Sequence, residues 1–75
     1  MTNKEFVKKH KPTAWAERHK ENGPLGKTYW LICERGQYMY FAEGSTQAIA
    51  WGNAANIIRK YLLENEQSEE NKTQD

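Results

Sequence analysis

Two runs of β-branched and aromatic residues, Thr28–Cys33 (TYWLIC) and residues 37–42 (QYMYFA), flank the tripeptide Glu34-Arg35-Gly36. Runs of this kind on either side of a glycine-bearing turn read as a β-hairpin. With Arg35-Gly36 as a two-residue loop, Cys33 faces Tyr38, Leu31 faces Tyr40 and Trp30 faces Phe41. One face of the hairpin then carries Trp30, Ile32, Met39 and Phe41, and the other carries Tyr29, Leu31, Cys33, Tyr38 and Tyr40. A one-residue bulge at Gly36 would exchange these faces, because side chains alternate along a strand.

Downstream, Gly44-Ser45-Thr46 ends the hairpin and offers a helix cap. From Gln47 to about Glu64 the spacing is helical, with Ala50, Trp51, Ala54, Ala55, Ile57, Ile58, Tyr61 and Leu62 on one stripe and Asn53, Asn56, Arg59 and Lys60 opposite. The small alanines let a sheet approach closely. The Trp30/Ile32/Met39/Phe41 face is therefore expected to pack on this helix. Upstream, Thr2-Asn3-Lys4-Glu5 reads as a capping box, with Met1 and Phe6 at hydrophobic-staple positions. It predicts a first helix from Asn3 to about His10 with Phe6 and Val7 turned inward; the alternative is an unstructured basic arm, since so short a helix is marginal alone. Pro12 breaks the chain, Thr13 caps a second helix over residues 14–21, and Asn22-Gly23-Pro24 stops it. The expected order is α-α-β-β-α, a small α+β domain over residues 1–63.

At 75 residues and 8.8 kDa the chain is one small domain. A chain of this size buries only about 60% of the surface that its unfolded state exposes, so a few large rings must supply the burial. The longest apolar runs are five residues, too short to span a membrane. The N-terminal lysines are followed by no apolar stretch of the secretory kind. One cysteine makes no internal disulfide, and a stapleless small fold points to a reducing cytoplasm.

Eleven basic residues against ten acidic give a net charge of +1, but the charge is segregated. Residues 1–27 hold a net +4, residues 28–63 a net +1, and residues 64–75 a net −4. The last segment, polar throughout, reads as a disordered tail. It is a solubilising tail, or else a competitor for whatever anionic partner meets the basic N-terminal half.

No catalytic pattern is present: there is no phosphate loop, no paired-histidine or paired-cysteine motif, and no spaced carboxylate pair in an ordered segment. Cys33, His10 and His19 are too few for a structural zinc site, and a mid-strand cysteine reads as a small buried hydrophobe. The chain is expected to be no enzyme and to need no metal or cofactor.

Two resemblances bear on function. Residues 1–42 resemble a winged helix-turn-helix of the excisionase or MerR type. The Thr2–Phe6 opening would start its first helix, the segment 13–20 with Trp15 and Arg18 would be the helix in the major groove, and the hairpin would be the wing. That segment offers only Arg18, His19 and Lys20 as basic side chains, where the family usually carries more arginine. In overall build the chain is similar to small phage-encoded host-takeover regulators, which bind host machines such as RNA polymerase. That likeness implies a non-catalytic, monomeric regulator docking on a larger host protein and acting sterically, with RNA polymerase the leading partner. Lys4, Lys8, Lys9, Lys11 and Arg18 would supply charge; Phe6, Val7, Trp15, Tyr29, Tyr38 and Tyr40 would supply apolar and aromatic anchors. The alternative is direct DNA or RNA binding through residues 4–20, with Tyr29, Tyr38 and Tyr40 as a base-stacking platform.

Overall fold

The computed structural model describes residues 1–37 and 39–64 with their side chains and carries the last helix to Thr73; Tyr38, Gln74, Asp75 and the side chains of residues 65–73 lie outside the described residues. The elements run α1 (Asn3–His10), β1 (Trp15–Lys20), β2 (Thr28–Cys33), β3 (Ala42–Gly44) and α2 (Gln47–Thr73). The three strands form one antiparallel sheet in the order β1-β2-β3; α2 packs against it and α1 packs on α2. The class is α+β, with two helices where the sequence pattern implied three.

The first helix begins as the sequence implies. Thr2 is its N-cap, and its hydroxyl accepts from the Glu5 backbone N–H at 3.1 Å. The Glu5 carboxylate accepts a hydrogen bond from the Thr2 hydroxyl at 3.2 Å, and Met1 stays exposed. Lys8, Lys9 and His10 occupy the last turn, where the helix dipole favours positive charge.

The expected second helix is a strand. Lys11, Pro12, Thr13 and Ala14 make a turn closed by the Ala14 N–H on the Lys11 carbonyl at 3.0 Å, and Ala14 is buried. The chain then extends along β2 in register: Trp15 opposite Cys33, Glu17 opposite Leu31, His19 opposite Tyr29. Residues 15–20 hold good helix formers, but an isolated helix this short is marginal, while pairing satisfies the backbone groups of two strands at once. Asn22-Gly23-Pro24, read as a helix stop, belongs to the β1–β2 connection. There Gly23 has φ +104° and the Gly26 N–H donates to the Gly23 carbonyl at 3.2 Å.

The expected hairpin is also corrected. Glu34-Arg35-Gly36 does turn the chain, with Gly36 at φ +85° and the Gln37 N–H on the Glu34 carbonyl at 3.2 Å. The strand does not resume at residue 37. Ile32 pairs with Ala42, Leu31 with Glu43 and Trp30 with Gly44, three residues beyond the Phe41 expected opposite Trp30. An odd shift exchanges the faces of the third strand. It sets Ala42 and Gly44, two small residues, on the side where α2 arrives. A Cβ on Gly44 would collide with the backbone of Ala50, so only glycine permits this approach.

Among the described residues, nine apolar ones are buried: Val7, Ala14, Ile32, Ala42, Ala50, Trp51, Ala54, Ala55 and Ile58. Five of them are alanine, which is why the layers come so close; Phe6, Trp30 and Phe41 add bulk from the margin. Trp30 and Ile32 do pack toward α2, whereas Met39 is exposed. The last helix continues past Glu64, where its apolar spacing ends. The expectation of a disordered 64–75 tail falls almost wholly on residues whose side chains lie outside the described ones. No helix among the described residues is long and apolar enough to cross a membrane.

Candidate binding face on the open side of the sheet

Because facing residues of an antiparallel ladder point the same way, the register assigns every side chain of the sheet. Ala16, Ile32 and Ala42 point to the helices. Trp15, Glu17 and His19 of β1, Tyr29, Leu31 and Cys33 of β2 and Glu43 of β3 point away from them. Both helices lie on the other side, so among the described residues no element covers this face. Trp15 is 41% exposed, and Tyr40, from the β2–β3 connection, is 42% exposed. Tyr29, Leu31, Tyr40 and Glu43 line a shallow depression of about 620 Å³, with Glu21 and Lys27 at its rim.

Glu17 organises the β1 side of the face. Its Oε2 accepts from Trp15 Nε1 at 3.0 Å and from the Cys33 thiol at 3.6 Å, while its Oε1 meets His19 Nε2 at 3.1 Å. The His19 ring stacks on Tyr29 with centroids 5.6 Å apart. These contacts fix the rotamers of two aromatic side chains before any partner arrives, which lowers the entropic cost of contact. The Trp15 hydrogen bond, with smaller help from Cys33 and His19, holds the Glu17 carboxyl below its usual range despite some desolvation. Burial and then the Glu17 charge push the Cys33 thiol up.

A thiol, an imidazole and a carboxylate thus share one face, but the connectivity is wrong for nucleophilic catalysis. An activated cysteine needs the imidazole or another cation beside the sulfur. Here the imidazole and the thiol both attach to the carboxylate, which keeps Cys33 protonated. No group of three or more metal-ligating side chains converges among the described residues.

The sequence-derived candidates divide between two sides of the molecule. Trp15, Tyr29 and Tyr40 lie on the open face, Tyr29 and Tyr40 together at the depression and Trp15 toward the other end of β1; Tyr38 lies outside the described residues. Arg18 sits on β1 opposite Trp30 and points to the other side of the sheet, exposed at its edge. Val7 is wholly buried and Phe6 packs on the core beneath the Arg59 guanidinium, 4.6 Å from its ring centroid. Val7 is therefore no available anchor, spent on docking so short a helix, while Phe6 stays partly exposed. Lys4 lies over Trp51 at 5.9 Å, and Lys11 lies over Phe41 at 5.8 Å and pairs with Glu34 at 3.1 Å. Lys8 and Lys9 are exposed.

The basic helix is therefore in the helical layer, away from the aromatic face, and that face holds Glu17 and Glu43. With β1 a strand, no helix over residues 13–20 exists to enter a major groove. Glu17 and His19 are site residues that the helical reading of this segment hid. Residues 15–20 show no apolar/polar alternation, so no local signal in the sequence marks Glu17 and His19 as sharing a face. Comparison with protein-family models, with curated proteins and with solved structures finds no match for this chain.

Proposed function

We propose that this chain is a non-catalytic docking protein that binds a larger protein through the open face of its sheet and acts by occupying that surface. The observation that carries this reading is the missing layer. A three-stranded sheet buries one side on two helices and leaves Trp15, Tyr29, Leu31 and Tyr40 facing outward. Tyr29 and Tyr40 at the shallow depression, and Trp15 preset by its hydrogen bond to Glu17 elsewhere on the same face, have the composition of interface anchors. The carboxylates of Glu17 and Glu43 on the same face repel a phosphate backbone and favour a protein surface with basic or hydrogen-bond-donating groups.

On the other side, Lys8 and Lys9 with the rest of the basic first helix favour anions. A nucleic-acid-processing machine, with RNA polymerase the first to try, offers both kinds of surface. The test is calorimetric titration of the full chain against purified RNA polymerase and, separately, against duplex and single-stranded DNA. Trp15→Ala with Tyr40→Ala should weaken protein binding at least about tenfold, the loss of one modest anchor in free-energy terms. Replacing Lys8 and Lys9 by Gln should change mainly its salt dependence. Unchanged affinity in the aromatic double variant, or tight binding of free DNA by the full chain with none to the polymerase, defeats the proposal.

A further inference from the structure

β1 lies at one edge of the sheet, and among the described residues no strand pairs with its outer side. The phase of the ladder fixes which backbone groups that edge presents. The Glu21 N–H donates to the Lys27 carbonyl at 3.0 Å, just past the pair of Lys20 with Thr28. Hydrogen-bonded pairs recur at every second residue of an antiparallel ladder. Trp15, Glu17 and His19 therefore turn their N–H and C=O groups to β2, and those of Ala16, Arg18 and Lys20 point outward. The strand offers this edge over six residues. The opposite edge offers less: β3 has three residues, and its Glu43 carbonyl is taken by Asn53 Nδ2 at 2.7 Å. An outward row of backbone donors and acceptors is a template for another strand.

Resting on the docking reading above, we propose that the β1 edge takes an extended segment of the partner protein as a fourth strand, with acidic side chains at alternate positions beside Arg18 and Lys20. The charges select this occupant. Arg18 and Lys20 point to one side of the strand, both are exposed, and among the described residues neither makes an ion pair. Opposite charges on facing strand positions attract, and like charges repel. The same rule disfavours a second copy of this chain. Two β1 edges related by a two-fold axis at Glu17, Arg18 or His19 set Glu17 against Glu17, Arg18 against Arg18, or Arg18 against Lys20. A segment with Glu or Asp at every second residue instead meets both cations, and its backbone satisfies the outward N–H and C=O groups. Its intervening residues continue the open face beside Trp15, Glu17 and His19, so one partner engages edge and face together. Charged residues on an edge guard it against unselective pairing, and a strand of opposite charge is the one they admit.

Titrating the full chain with a blocked peptide of alternating Val and Glu, followed by backbone amide chemical shifts, tests this. Shifts should concentrate on Ala16, Arg18 and Lys20, whose amides also gain protection from hydrogen exchange. Arg18→Glu with Lys20→Glu should raise the dissociation constant about tenfold or more with an unchanged far-ultraviolet circular dichroism spectrum. Only alternate amides of an added strand face the edge, so N-methylation of one set, the valines or the glutamates, should block binding and that of the other should spare it. The methylated peptides need no variant of the protein and so judge the edge even where the double variant folds poorly. Absence of amide shifts, binding that survives the double charge reversal, or an equal effect of methylating the two sets overturns the proposal. Because the peptide is titrated without the polymerase, its failure removes the edge and leaves the result for the aromatic face standing.

Discussion

Cys33 shows how one neighbour sets the chemistry of a side chain. Its thiol donates to a carboxylate and is half sheltered on the open sheet face. Both burial and the negative charge of Glu17 disfavour the thiolate, so its pKa lies above the ordinary thiol value. Only the thiolate is nucleophilic, and a raised pKa means that reactivity appears at higher pH than for an unperturbed cysteine. Alkylation by iodoacetamide should therefore rise with pH later than that of glutathione under the same conditions. Glu17→Gln should move the rise toward lower pH without taking it below the ordinary thiol value, because burial, the larger cause, remains. A rate profile that Glu17→Gln leaves unmoved would mean that the thiol and carboxylate are not in contact in solution. The same carboxylate held both Trp15 and His19 in place, so Glu17→Gln also tests how far the aromatic face depends on its anchor.

Among the elements, the meeting of β3 with α2 sets the register of the whole sheet. The Thr46 hydroxyl accepts from the Ile49 N–H at 3.1 Å and starts α2 two residues after the strand ends; Asn53 Nδ2 donates to the Glu43 carbonyl at 2.7 Å and ties the strand to the helix. Gly44→Ala places a methyl group against the Ala50 backbone, which has no rotamer with which to move aside. It should destabilise the fold by about 1–3 kcal/mol, the usual cost of overpacking. The midpoint of urea unfolding measures this, and Gly36→Ala is the contrast: it meets no steric neighbour and suffers only from its positive φ.

The same elements separate what was legible in the sequence from what was not. The capped first helix, β2 and α2 each carry their own local signal (a capping residue, a β-branched run, a 3.6-residue period), although of the expected α2 stripe Ala50, Trp51, Ala54, Ala55 and Ile58 are buried while Ile57, Tyr61 and Leu62 are exposed. The first and third strands depended on partners elsewhere in the chain. Residues 15–20 have helical composition and become β1 only because β2 offers an edge, and residues 37–41 have strand composition but yield their place to Ala42–Gly44 because α2 needs small residues there. Of the candidate site, Tyr29, Leu31 and Cys33 were correctly grouped on one face. Trp15 joined them only through a pairing that local spacing did not reveal, and Val7 was lost to the core.

For the molecule as a whole, stability rests on few side chains. Domains of this size are stable by only about 5 kcal/mol. Ile32 is wholly buried between the helical layer and the sheet, and truncating such a residue costs about 2–5 kcal/mol. Ile32→Ala should therefore leave a substantial unfolded population at room temperature, seen as a broadened loss of near-ultraviolet circular dichroism. Leu25→Ala, in the β1–β2 connection and 92% exposed, should leave the unfolding curve unchanged.

The sheet follows chain order, β1-β2-β3, so each strand finds its partner in the element made just before or just after it. The first helix is the exception, since Val7 enters a core whose walls include Ala54, Ala55 and Ile58. During synthesis the β1–β2 hairpin can close as soon as it emerges, while α1, made before it, must wait until α2 has been made before its one buried side chain has anywhere to go.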